Sequence, residues 1–69
     1  MGEWAVPGPA ADETLFGYRV TRGVLVAVFV QTDQVATARW TTMDPVPREF
    51  AVVHGSVAEI VAQIMAGPP

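Results

Sequence analysis

His54 is the one side chain whose ordinary titration falls near neutrality. To act as an acid or base it needs an orienting carboxylate. Asp44, Glu49 and Glu59 are the candidates near it in the chain. Such a set would suit a small cofactor-free isomerase or cyclase using His54. The plainer reading is that His54 ends a strand and hydrogen-bonds locally. The sequence has no glycine-rich phosphate loop, no Ser-His-Asp order and no paired carboxylates. It has no cysteine, and a single histidine cannot hold zinc alone. No catalytic residue, metal ligand or cofactor is therefore assigned. Tyr18 and Arg19 could bind an anion, although an alternating strand explains them as well.

A second group of residues suits binding rather than chemistry. Trp40 and Phe50 are joined through Asp44-Pro45-Val46-Pro47. Proline fixes φ near −65° and has no N–H, and it pushes the residue before it towards extended backbone. The link should be rigid and non-helical, holding the two aromatics at a set separation. That arrangement fits a pre-shaped apolar notch on a binding surface. The alternative is that both are ordinary core residues beneath a helix.

The elements that must position these residues follow from the pattern. Residues 1–11 read as a flexible tail broken by Pro7, Gly8 and Pro9, and residues 12–69 as one small domain. Residues 14–22 alternate, with Phe16, Tyr18 and Val20 on one side and Gly17, Arg19 and Thr21 on the other. Period two predicts a half-buried strand, and Gly23 permits a bend after it. Residues 24–30 are apolar throughout and mostly β-branched, which predicts a strand that is apolar on both faces. Residues 31–34 form a polar turn, and residues 35–41 return as the second arm of a hairpin. Residues 50–54 read as a further short strand ended by Gly55.

Ser56-Val57-Ala58-Glu59 matches a capping box and predicts a helix to about Ala66. Val57, Ile60, Val61, Ile64 and Met65 form one apolar stripe on it. Gly67 suits the position after the helix, and Pro68-Pro69 cannot continue it. The predicted fold is α+β: a small antiparallel sheet of three to four strands with one C-terminal helix packed on one face. A helix of this size is about 15 Å long and shields one face only partly. An uncovered apolar patch is expected, and such patches mark interaction sites.

Composition points the same way. The chain has 69 residues, of which 51% are hydrophobic and 16% charged. A domain this small buries only about 60% of the surface its unfolded chain exposes. With no disulfide available, a partner is the remaining source of stability. The net charge of −3 and four scattered arginines, Arg19, Arg22, Arg39 and Arg48, argue against nucleic acid. The start of the chain lacks the basic and apolar regions of a signal peptide. The longest apolar run is far short of the roughly 20 residues of a membrane helix. A cytoplasmic protein with a protein partner and no membrane contact is expected.

The spacing of Trp40, Pro45-Val46-Pro47, Phe50 and Val52-Val53-His54-Gly55 resembles the centre of MbtH-like proteins over about residues 24–66. Trp40 stands where that family has the tryptophan of its Ser-Leu-Trp-Pro motif, and Phe50 where it has a second tryptophan. The departures are Ala38-Arg39 before Trp40, Thr41 after it, Glu49 before Phe50, and Gly67-Pro68-Pro69 in place of an acidic-aromatic tail. The family's cysteine is also absent. The resemblance implies a non-catalytic chaperone that binds and activates the adenylation domain of a nonribosomal peptide synthetase. Trp40 and Phe50 would then wall a slot, with Val46 and Pro47 shaping its edge. Because the motif is eroded, self-association is the alternative: a homodimer or antitoxin-like domain joined through the 24–30 strand at a sheet edge.

Overall fold

The computed structural model describes residues 9–32, 34–43 and 45–69. The expected tail lies mostly outside these residues. Four strands, β1 (Thr14–Thr21), β2 (Val24–Thr32), β3 (Val35–Thr42) and β4 (Arg48–Gly55), precede one helix, α1 (Val57–Ala66). The strands form one antiparallel sheet in the order β1-β2-β3-β4. Each strand pairs with its sequence neighbours, as tight turns favour. The expected α+β fold is therefore present, with four strands.

Register divides the side chains between two faces. Val26 pairs with Trp40 and Trp40 with Ala51; Val28 pairs with Ala38 and Ala38 with Val53. These rows carry the helix. Ile60 is fully buried against Val26, Val28, Ala36, Ala38 and Trp40, with Val57 and Ile64 packed beside it. The short side chains Ala36 and Ala38 leave room for Ile60 beside the bulk of Trp40, so large and small alternate. Burying a side chain such as Ile60 contributes about 1.5–3 kcal/mol.

The helix stripe is wider than the contact it makes. Val61 is 48% and Met65 80% exposed. The helix packs on β2, β3 and β4, so the part of its apolar stripe turned from them stays in water.

On the other face, Leu25, Ala27 and Phe29 of β2 are wholly buried, and Thr37 and Thr41 nearly so. Most of the exposed apolar side chains of this face stand towards the sheet's edges: Leu15, Tyr18 and Val20 on β1 and Val52 on β4, with Val35 at the start of β3 the exception. The uncovered apolar surface expected along the 24–30 strand is thus on the outer strands instead. That strand is β2 and lies inside the sheet, between β1 and β3. This corrects the expectation that it forms an edge: being apolar on both faces, it takes the position where both faces are shielded.

Two bulges change the predicted alternation. Leu15 pairs with Phe29 and Gly17 with Val28, leaving Phe16 as the extra residue, 66% exposed. Phe16 therefore does not share a regular face with Tyr18 and Val20; a bulge inserts one unpaired residue and resets the register. Likewise Trp40 pairs with Ala51 but Thr41 with Glu49, which makes Phe50 the extra residue in β4. Residues 14–21 pair with β2 of the same chain.

The capping box forms as expected. Ser56 Oγ accepts from the Glu59 amide at 3.2 Å, and Glu59 Oε1 accepts from the Ser56 amide at 2.8 Å. Gly55 makes this possible, because a Cβ there would lie 2.9 Å from Glu59 Oε1 and 3.2 Å from Glu59 Cβ. At the other end the Gly67 amide donates to the Gln63 and Ile64 carbonyls.

Candidate functional site

The residues that could do acid–base chemistry are engaged elsewhere. His54 sits opposite Thr37 in the β3–β4 ladder, and its Nδ1 lies 3.1 Å from Thr37 Oγ1. Glu59 belongs to the capping box. Glu49 Oε1 accepts from Arg39 Nη1 at 3.1 Å, in an ion pair that is about a third to two-fifths exposed. Asp44 lies outside the described residues. Among the described residues no carboxylate is hydrogen-bonded to His54, and no group of three or more His, Asp or Glu stands where a metal could be held. None of the described helices is long and apolar enough to cross a membrane.

The two aromatics of the central segment part company. Trp40 is 2% exposed, in the core under α1. Its place follows from parity: Ala36, Ala38 and Trp40 alternate onto the face that the helix covers. Phe50 is 46% exposed at the β4 bulge, and Val46 in the preceding loop is 55% exposed. Pro45 and Pro47 are exposed beside it. The loop is shorter than the proline pattern predicts, since β4 begins at Arg48 rather than Phe50. Its base is closed by Thr42 Oγ1 donating to the Arg48 carbonyl at 3.2 Å. Val46, Pro47 and Phe50 are thus exposed apolar residues leading onto an edge strand, whereas Trp40 belongs to the core.

Trp40 reaches a different feature. A cavity of about 400 Å³ lies between the β1–β2 half of the sheet and the end of α1. Val24, Val26, Trp40 and Ile64 line its apolar part, and Arg19 and Arg22 line it with charge. Val46, Pro47 and Phe50 are not among its lining residues. Arg19 and Thr21 face the cavity side because they pair with Val26 and Val24. Arg22 and Gly23 form the two-residue turn between β1 and β2, with φ of 53° and 77°. Positive φ at both positions is the pattern of a type I′ hairpin turn, which favours Asn-Gly. The Gly23 carbonyl also accepts from the Met43 amide at 2.9 Å, tying this turn to the end of β3.

The sequence pointed to Arg19 as a possible anion ligand but not to Arg22 or to the cavity. The signal available was the Arg-Gly turn itself, in a place where asparagine is preferred. No family model, no curated protein and no solved structure matches this chain.

Proposed function

We propose that this protein is a non-catalytic binding module that docks on a larger enzyme through Val46, Pro47 and Phe50. The observation that carries this reading is the exposure of Phe50 at a bulge on an edge strand, near the start of β4 and after a proline-stiffened loop with an exposed valine. Aromatic anchors dominate interface energetics, and a stiff loop loses little freedom on binding. The similarity in spacing to MbtH-like proteins makes the adenylation domain of a nonribosomal peptide synthetase the partner to test first. In such a complex the protein would act as a chaperone or activator in peptide antibiotic biosynthesis. Trp40 would support the site from within rather than wall it.

The test is gel filtration of the chain mixed with an adenylation enzyme. Co-elution is expected, with Phe50→Ala weakening the complex by about 2 kcal/mol or more while circular dichroism stays unchanged. Separate elution of the two wild-type proteins would count against this partner, and an unaffected complex with Phe50→Ala against this surface.

A second reading has its own observation. β1 is an edge strand among the described residues, and Leu15, Phe16, Tyr18 and Val20 on it are all exposed. Arg19 and the bulge at Phe16 are its edge-protecting features, and it has neither lysine nor proline. A homodimer through β1 would elute at twice the monomer mass without any added partner.

A further inference from the structure

We propose that the cavity beside α1 binds a small organic anion with an apolar body, such as an aryl or alkyl carboxylate. The site is separate from the Val46–Phe50 surface, so the two readings stand or fall independently.

The protein carries a net charge of −3 and four basic residues in all. Arg19 and Arg22 both line this one cavity, and among the described residues no carboxylate lines it. Arg39 is paired with Glu49, whereas among the described residues neither Arg19 nor Arg22 has an acidic partner. Arg19 is steadied by its Nε donating to Thr21 Oγ1 at 3.3 Å. Two arginines lining one cavity suit a carboxylate or another oxyanion, which arginine holds through paired N–H donors.

The rest of the cavity is apolar. Val24, Val26, Trp40 and Ile64 form its interior, and Met65, 80% exposed, stands at its mouth. A volume of about 400 Å³ lies within the range of small-molecule sites. A mostly apolar cleft with a few converging polar groups is what orients such a ligand. Methionine adapts its shape to varied apolar partners.

The backbone adds an independent observation. Arg22 is the sole described non-glycine residue with positive φ. A left-handed backbone is unfavourable for a residue with a side chain, and asparagine bears it better than arginine. Arginine at this position sacrifices turn stability and adds a second basic residue to the cavity lining. A purely structural turn gains nothing from that exchange.

The test uses 4-phenylbutyrate as probe, with 4-phenylbutanol as the uncharged control and inorganic phosphate as the head alone. Binding is followed by NMR through the Trp40 indole N–H, assigned with a Trp4→Phe variant, and through the Ile64 methyl groups. Saturable shifts at Trp40, Ile64, Arg19 and Arg22 are expected with phenylbutyrate. The alcohol should bind at least about tenfold more weakly, and Arg19→Gln and Arg22→Asn should each weaken the acid about tenfold. Arg22→Asn should at the same time raise the melting temperature, which separates lost binding from lost folding. Equal binding of acid and alcohol, unchanged affinity in both arginine variants, or no shift at these residues up to about 10 mM probe would overturn the proposal.

Discussion

Strands β3 and β4 are neighbours with opposite fates for their aromatic residues. Trp40 is interior to the sheet and under the helix, at 2% exposure; Phe50, ten residues on, is 46% exposed at an edge-strand bulge. The difference comes from three features. Among the described residues β3 has a strand on each side, whereas β4 has one. Alternation turns Trp40 towards α1, along with Ala36 and Ala38. The bulge takes Phe50 out of regular pairing with β3. Side-chain type is thus a poor guide to role, because an aromatic in an interior strand stabilises the fold and one on an edge is free to meet a partner.

This contrast is most strongly challenged at Trp40. Truncation to alanine should cost about 3–5 kcal/mol, comparable with the whole stability of so small a domain. Circular dichroism and thermal melts should show a largely unfolded chain. A Trp40→Ala variant that melts like the wild type would place Trp40 outside the core. Ile60→Ala, on the helix side of the same cluster, should cost about 2–5 kcal/mol and serves as the internal reference.

Phe50→Ala is the opposite case. Its stability change should stay within about 1 kcal/mol, while partner affinity falls by about 2 kcal/mol or more. A variant that both unfolds and fails to bind would make Phe50 structural and erase the difference from Trp40.

Smaller effects sharpen the account of how β4 hands over to the helix. Ser56→Ala removes one arm of the capping box and should cost about 1 kcal/mol by denaturant titration. Gly55→Ala acts on the other arm by crowding the Glu59 carboxylate, and should cost a similar amount or less. Because both changes disable one device, the double variant should lose less than the sum of the two single losses. Additive losses would mean that Gly55 and the cap act separately. Arg22→Asn, far from this junction, should stabilise the β1–β2 turn by up to about 1 kcal/mol.

Much of this architecture was readable along the chain. The apolar run of β2, the alternation of β1 and β3 and the Ser56–Glu59 pair depend on neighbours in sequence, and each predicted the element that is found. The position of β2 inside the sheet was present in its two apolar faces, although the edge reading neglected it. What the sequence concealed depends on long-range register. Gly17 within β1 is the kind of residue that marks a bulge, but which residue is left unpaired follows only from the register against β2. The burial of Trp40 becomes evident only when Ala36 and Ala38 are placed on its face and α1 is laid across them. The cavity arises because α1 packs on β2, β3 and β4 while Arg19 extends from β1. No local pattern carries that arrangement.

The most direct test of the binding role pairs Phe50→Ala with wild type in one experiment: co-elution with an adenylation enzyme, alongside a thermal melt of each chain. Matching melts, a retained complex for wild type and a lost one for the variant are expected. Equal retention of both chains by the enzyme, or collapse of the variant's fold, would contradict that role.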